Sequence, residues 1–319
     1  MQLSIHTYGE LRDENLIREA HRLHNSAFPH DAVDYQAFEK ILFRDPNIDE
    51  ELMLFSIDAR GYARAFLFAS EIVREPKEAV DGFRDVMWVK GFAVDASLGK
   101  GLWREVFLDL MKGLERLARG RGKRAVVLYA YPPFYYMPGV NILYEDYLEL
   151  FEELGYSKRE EAVNYYVDLT QFFYPRRVAR LEERLTSEGV AIRRCRGEEA
   201  ESVSTWAGKT SGIPFWRVEV RLAFENTPPT VLVAEASGKL LGFSAYSPTR
   251  ANQFGPIGVD PSERKRGVGT ALLFKALQEL KLAGYTEAVI PWTEHLFFYT
   301  QVPGIHRVNH YIVMAKSIV

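Results

Sequence analysis

Cysteine is almost absent from this chain. Cys195 alone among 319 residues rules out an intrachain disulfide and any zinc cluster built on several thiolates. No apolar run approaches the roughly 18 residues that a membrane span needs. The opening MQLSIHTYGELRDEN also has no basic segment followed by an apolar core, so the reading is a soluble cytoplasmic protein with no membrane partner. Neither sign of charge dominates. Forty basic against 43 acidic residues leave a formal net charge of −3, which gives no electrostatic footprint for nucleic acid. Two common phosphate-binding patterns are missing too: GVGTAL lacks the third glycine of G-x-G-x-x-G, and no G-x-x-x-x-G-K-[ST] occurs.

What is present is a globular composition, 47% hydrophobic and 13% aromatic, in a chain long enough for two ordinary cores. Its most informative stretch is FGPIGVDPSERKRGVG at 254–269, where a short apolar strand runs into a helix through Arg264, Gly267 and Gly269 spaced R-x-x-G-x-G. The two glycines permit loop conformations closed to residues with a Cβ, so successive backbone N–H groups can converge on one anion. The helix that follows, GTALLFKALQELKLAG, turns its positive end to the same point. Leu273, Leu277 and Leu280 recur at i, i+4 and i+7 and mark its core face, leaving Lys275, Gln278, Glu279 and Lys281 for solvent. VLVAEA and KLLGFSAYSP, joined by Ser237-Gly238, read as a hairpin ahead of the loop, and EAVIPW as the strand after the helix.

Strand, anion loop, helix, strand and the segment FFYTQVPGI, in that order, resemble the coenzyme A binding core of the GNAT superfamily of N-acetyltransferases. The resemblance implies an α/β fold of two tandem GNAT-like domains, each a twisted mixed sheet flanked by helices. It implies acetyl-CoA as cosubstrate without a metal, held by Ile257, Gly258, Val259, Arg264, Lys265, Arg266, Gly267, Val268, Gly269 and Thr270. It further implies acetyl transfer to a primary amine of a small molecule or peptide, by direct attack in a ternary complex. FFYTQVPGI is similar to the family's FYEKLGF segment and puts the hydroxyl that protonates the departing thiolate on Tyr299. The fourth strand carries no glutamate, and Glu294 and His295, just beyond EAVIPW, are the nearest candidates for the general base. Trp292 stands where many relatives have asparagine. Trp216, Arg217 and Glu219 lie where the acceptor enters, with packing and surface roles as the simpler reading. The alternative function is a non-catalytic, acetyl-CoA-binding regulatory protein.

The pattern occurs twice. GFAVDASLGKGLWREVFLDLMKGLERLARGRGKRAVVLYAYP parallels the downstream core, with Val94-Asp95 and Val259-Asp260 separated by 165 positions, as are Pro138-Gly139 and Pro303-Gly304. Val163-Asn164 and Val308-Asn309 stand 145 apart, so the second copy is 20 residues shorter there, a gap corresponding to ILYEDYLELFEELGYSKREE. Aligned on the glycines, Leu98 replaces Arg264, Gly101 matches Gly267 and Trp103 replaces Gly269, in a loop one residue shorter. The upstream site therefore reads as degenerate, with Gly99, Lys100 and Gly101 as remnants. Tyr299 pairs with Tyr135 in one alignment and with Phe151 in another.

The expected organisation is a first domain over 1–170, a connecting helical segment over 171–189 with Phe172, Phe173 and Tyr174 packed down, and a catalytic second domain over 190–319. Cys195 reads as a small core residue. Acceptor and oligomeric state are left open by the sequence.

Overall fold

Runs of β-branched and aromatic residues punctuated by glycine turns set the strands of a computed structural model that describes residues 3–293 and 296–319. The chain divides into two compact units, Met1–Ala162 with His310–Val319, and Val163–Asn309. Along unit 1 run β1 (Leu3–Thr7), α1 (Tyr8–Leu11), α2 (Glu14–Ala27), α3 (Tyr35–Phe43), β2 (Met53–Asp58), β3 (Ala63–Ser70) and α4 (Lys77–Phe83). They continue with β4 (Val86–Val94), α5 (Lys100–Gly120), β5 (Ala125–Leu128), β6 (Val140–Asn141), α6 (Glu145–Glu153) and the first half of β7 (Ser157–Asp168). Unit 2 takes the rest of β7, then α7 (Arg176–Ser187), β8 (Ala191–Arg194), α8 (Ala200–Ser211), α9 (Phe215–Phe224), β9 (Val231–Ala236) and β10 (Lys239–Tyr246). It closes with β11 (Phe254–Val259), α10 (Val268–Leu282), β12 (Glu287–Thr293), α11 (Leu296–Tyr299) and the start of β13 (Ile305–Ser317).

Unit 1 is a mixed sheet with helices against it, whereas the strand ladders of unit 2 are antiparallel. In unit 1, β1 to β4 pair antiparallel in sequence order and β4 pairs β5 in parallel across α5. In unit 2, β8 to β11 form an antiparallel sheet and β12 lies antiparallel to β7. The Ser237-Gly238 turn has both residues at positive φ, 50° and 75°, the pairing a two-residue hairpin needs.

The units do not follow the sequence boundaries at 170 and 189. The last ten residues belong to unit 1, where Met314, Ala315, Lys316 and Ser317 lie opposite Leu128, Val127, Val126 and Ala125. Tyr311 adds a hydroxyl bond to buried Asp31, and Lys316 reaches both oxygens of Glu115 at 2.8 Å. The segment expected to be a connector packs into unit 2. Leu169, Phe172, Val178 and Leu185 share a core with α10, and the rings of Phe172 and Tyr174 each lie 5.8 Å from Phe274, the first tilted and the second edge-on. Phe173, expected to pack, is 61% exposed. Because that segment covers its outer side, α10 is buried beyond the Leu273, Leu277, Leu280 stripe. Lys281 is exposed, as read, yet donates to the Phe172 carbonyl at 2.7 Å, and half-buried Glu279 pairs with Arg194.

Candidate active site

β11 and β12 touch at one place and then part. Gln253 bridges Val289 in parallel and the Val289 N–H reaches the Asn252 carbonyl at 3.0 Å; beyond that bridge, among the described residues, β11 pairs only with β10. The phase of the β10–β11 ladder decides which peptide groups face the gap. Asp260 N–H donates to the Leu241 carbonyl at 2.8 Å, and antiparallel pairs alternate between bonded and open. Gly258, opposite Phe243, therefore spends its peptide groups on β10, while Ile257 and Val259 turn theirs outward. Gly258 is glycine for packing: a Cβ there would lie 2.7 Å from Phe243 and 3.1 Å from Trp216.

At the far end of β11 the anion loop begins. Gly267 sits at φ 92° as the N-cap of α10, a conformation that favours glycine, and a Cβ would meet Leu181 at 2.5 Å. The first helical bond of α10 runs from Ala271 N–H to the Gly267 carbonyl at 3.0 Å, so Val268, Gly269 and Thr270 keep N–H groups outside the ladder. No acidic residue occupies that first turn. The Cβ position of Gly269 lies 3.4 Å from Val259 and 3.5 Å from Phe298, which brings loop, strand and α11 to one point. Of the three basic residues, Arg264 reaches back to β11, its Nε 3.4 Å from the Val259 carbonyl, and Lys265 is exposed. Arg266 points elsewhere, its guanidinium held by Glu188 at 2.7 Å and by Glu263.

Tyr299 ends α11, 9% exposed, with rings of Phe298, Tyr165 and Phe254 at 5.0, 6.2 and 6.3 Å. Burial pushes its phenol up to about 12, partly offset by a hydrogen bond with the Thr293 side chain, so it stays a proton donor at neutral pH. Glu294 and His295 lie outside the described residues. Trp292 adopts φ 43° with its N–H on the Asn164 side-chain oxygen at 2.8 Å. Arg217 pairs with Glu201 at 2.7 Å, and burial lifts the Cys195 thiol to about 12, which leaves it inert.

Glu219, which the sequence places near the acceptor entrance with a surface or packing role as the simpler reading, is more unusual than that reading. It lies 8% exposed on α9, has no hydrogen-bond or ionic partner among the described residues, and burial alone raises its carboxyl to about 8. Trp216, one turn earlier, packs over Gly258, so α9 covers the middle of β11. The available signal is an acid three residues from Trp216 beside the core stripe Trp216, Val220, Ala223.

Residues 198–296 match the Acetyltransferase (GNAT) family. Unit 2 carries a GNAT domain. The matched segment embraces β11, the loop and most of the gap described above. Comparison with curated protein sequences gives no match. Among solved structures the chain is similar to a GCN5-related glucosamine N-acetyltransferase region of a fungal multidomain GH3 β-N-acetylglucosaminidase. That likeness has 17% identity and a TM-score of 0.75, covering 99% of this chain and 38% of that one, so this chain spans well under half that protein's length. It is also similar to a GCN5-related N-acetyltransferase from Sphaerobacter thermophilus (17% identity, TM-score 0.66, covering 99% and 96%). A tandem GNAT protein from the clavulanic acid biosynthesis pathway has 10% identity and a TM-score of 0.65, covering 100% and 99%. At these identities the likenesses establish a tandem GNAT fold over the whole chain.

The GNAT core of unit 2 corrects the alignment of the first copy. The first helical bond of α5 runs from Trp103 N–H to the Gly99 carbonyl at 3.0 Å, and Gly99 at φ 74° is its N-cap. Gly99 thus corresponds to Gly267, Gly101 to Gly269 and Trp103 to Ala271. Four steps lead from Asp95 to Gly99 but seven from Asp260 to Gly267, so unit 1 is three residues shorter and lacks the stretch Arg264, Lys265, Arg266. Gly139 and Gly304 sit alike, their Cβ positions 2.8 and 2.6 Å from a neighbouring carbonyl oxygen, of Ile312 and Asp168. That match favours pairing Tyr299 with Tyr135 and makes α6, with Phe151, the extra piece.

Proposed function

We propose that unit 2 binds acetyl-CoA along the open edge of β11 and transfers its acetyl group to a primary amine of a small molecule or peptide. The observation that carries this reading is the separation of β11 from β12 beyond a single bridge, with the α10 N-terminus at one end of the gap and Tyr299 beside it. Outward peptide groups of Ile257 and Val259 orient the pantetheine arm. The N–H groups of Val268, Gly269 and Thr270, with Arg264 and Lys265, receive the diphosphate. The tandem relative named without AcCoA supports the same cosubstrate.

The reaction needs an uncharged amine and a proton for the departing thiolate. Tyr299 keeps its proton at neutral pH, which supports its role as the donor. Glu219, buried without a partner among the described residues on the helix that covers Gly258, takes the proton from the incoming ammonium, its raised affinity suiting a base that works near neutrality. Direct attack in a ternary complex follows, since Cys195 is buried and protonated.

Calorimetric titration of acetyl-CoA tests the reading, with one site per chain expected. Absence of binding overturns it. Thiol release on adding a panel of primary amines tests the transfer, and release no faster than without amine overturns that step.

A further inference from the structure

The segment that the sequence marks as a connector touches the anion loop at several atoms. Leu181 of α7 fills the space beside Gly267, where a Cβ would lie 2.5 Å from its Cδ1. Arg184 donates through Nη2 to the Arg266 carbonyl at 2.7 Å and through Nη1 to Glu188 at 2.8 Å. Glu188 in turn accepts from the Arg266 guanidinium at 2.7 Å, and Arg266 closes on Glu263 within the loop. At the second residue of α7, Arg177 holds the Gln301 carbonyl at 2.9 Å, just past Tyr299. All of these residues belong to unit 2.

We infer that α7 and its cap are a positioning element of the cofactor site, with Arg184 and Glu188 fixing the backbone of residues 263–267 so that the N–H groups at the start of α10 converge. The inference rests on the proposed coenzyme A site. It assigns Arg266 a different task from its neighbours: its charge is spent on Glu188 and Glu263, leaving Arg264 and Lys265 for the ligand. Glu188 is held low in proton affinity first by the Arg266 bond and then by Arg184, so the clamp is ionised at neutral pH.

The sign of one substitution separates this from the obvious alternative. An acid beside an anion site that did no more than repel the ligand, or compete for Arg266, would tighten coenzyme A binding when removed. A clamp predicts the opposite. With the full chain, coenzyme A should bind about 3–30-fold more weakly to Glu188→Ala and Arg184→Ala, with Arg184→Lys recovering most of the loss. Pantetheine, which lacks the diphosphate, should bind all variants alike. In the absence of ligand, amide hydrogen exchange over 261–270 should quicken in both alanine variants while melting temperature stays near wild type. Equal or tighter binding to Glu188→Ala, or unchanged exchange over that loop, overturns the clamp. Failure of the wild type to bind coenzyme A overturns the cosubstrate reading instead, and the exchange arm still decides the clamp.

Discussion

The two copies of the core place the same strand in opposite situations. In unit 2, Ile257, Gly258 and Val259 are all partly exposed along the gap beside β12. Their counterparts at the constant separation, Phe92, Ala93 and Val94, are buried at 1%, 0% and 3%. β4 and β5 also part, after Val89 and Leu128, but the Phe92 ring fills the opening. It lies 5.5 Å from Phe107, 5.6 Å from Tyr129, 5.0 Å from Tyr147 and 5.4 Å from Phe151. Both strands are irregular at the start of the gap. In β4 the shift holds Lys90, buried against Asp45 at 2.8 Å, and in β11 it holds Gly255 at φ 108°, with nothing within 4 Å of its Cβ position. An open gap and an aromatic core are thus two outcomes of one backbone, and unit 1 keeps both loop glycines while losing the room and the basic residues.

The comparison can be broken from either side. Phe92→Ala should cost unit 1 about 3–5 kcal/mol, because a buried ring leaves a cavity that its neighbours refill only in part. Denaturant unfolding would show it, and coenzyme A stoichiometry should stay at one. Gly269→Trp, which closes the open copy, should weaken coenzyme A by at least about 100-fold, since an indole has no room between Val259 and Phe298; calorimetry with coenzyme A would show the site lost.

Smaller effects test the chemistry that the closed copy lacks. Glu219→Gln should lower turnover by about 30–100-fold at neutral pH and abolish the rise in kcat/KM toward pH 8. It should also change the stability profile. The folded Glu219 carboxyl titrates about 8 and an unfolded glutamate near 4.3, so the folded chain holds a proton between those values that the unfolded chain releases. Stability from this group is full below the window and falls as pH rises through it; thermal melts from pH 5 to 9 should show that slope in the wild type and lose it in Gln. Smallest is Tyr299→Phe, with about a tenfold loss of kcat and little change in coenzyme A affinity, against no rate change for Tyr135→Phe in unit 1.

Local signals were enough for the hairpin, the anion loop and α10, because φ > 0 turns and helix periodicity are written in neighbouring residues. The partner of β13 was not. IHRVNHYIVMAKS carries a strand pattern whichever sheet receives it, and pairing with β5 joins residues far apart in sequence. The role of α7 was hidden for a related reason: a charged helix looks solvated until the carbonyl and guanidinium of Arg266 are placed beside it. Glu219 was named but undervalued, since its burial on α9 is a property of the packed molecule. The helix-start alignment of the copies needed the first backbone bonds of α5 and α10.

One consequence follows from His310–Val319 belonging to unit 1. On the ribosome, Leu3–Ala162 emerge well before the residues that complete their sheet, which come only after the whole of unit 2. Until then the edge of β5 that Met314 to Ser317 will cover is bare, and Asp31 and Glu115 lack Tyr311 and Lys316. The portion synthesised first is therefore finished last, and an interrupted translation would release an aromatic-rich sheet with an unpaired edge, the kind of species that chaperones exist to hold.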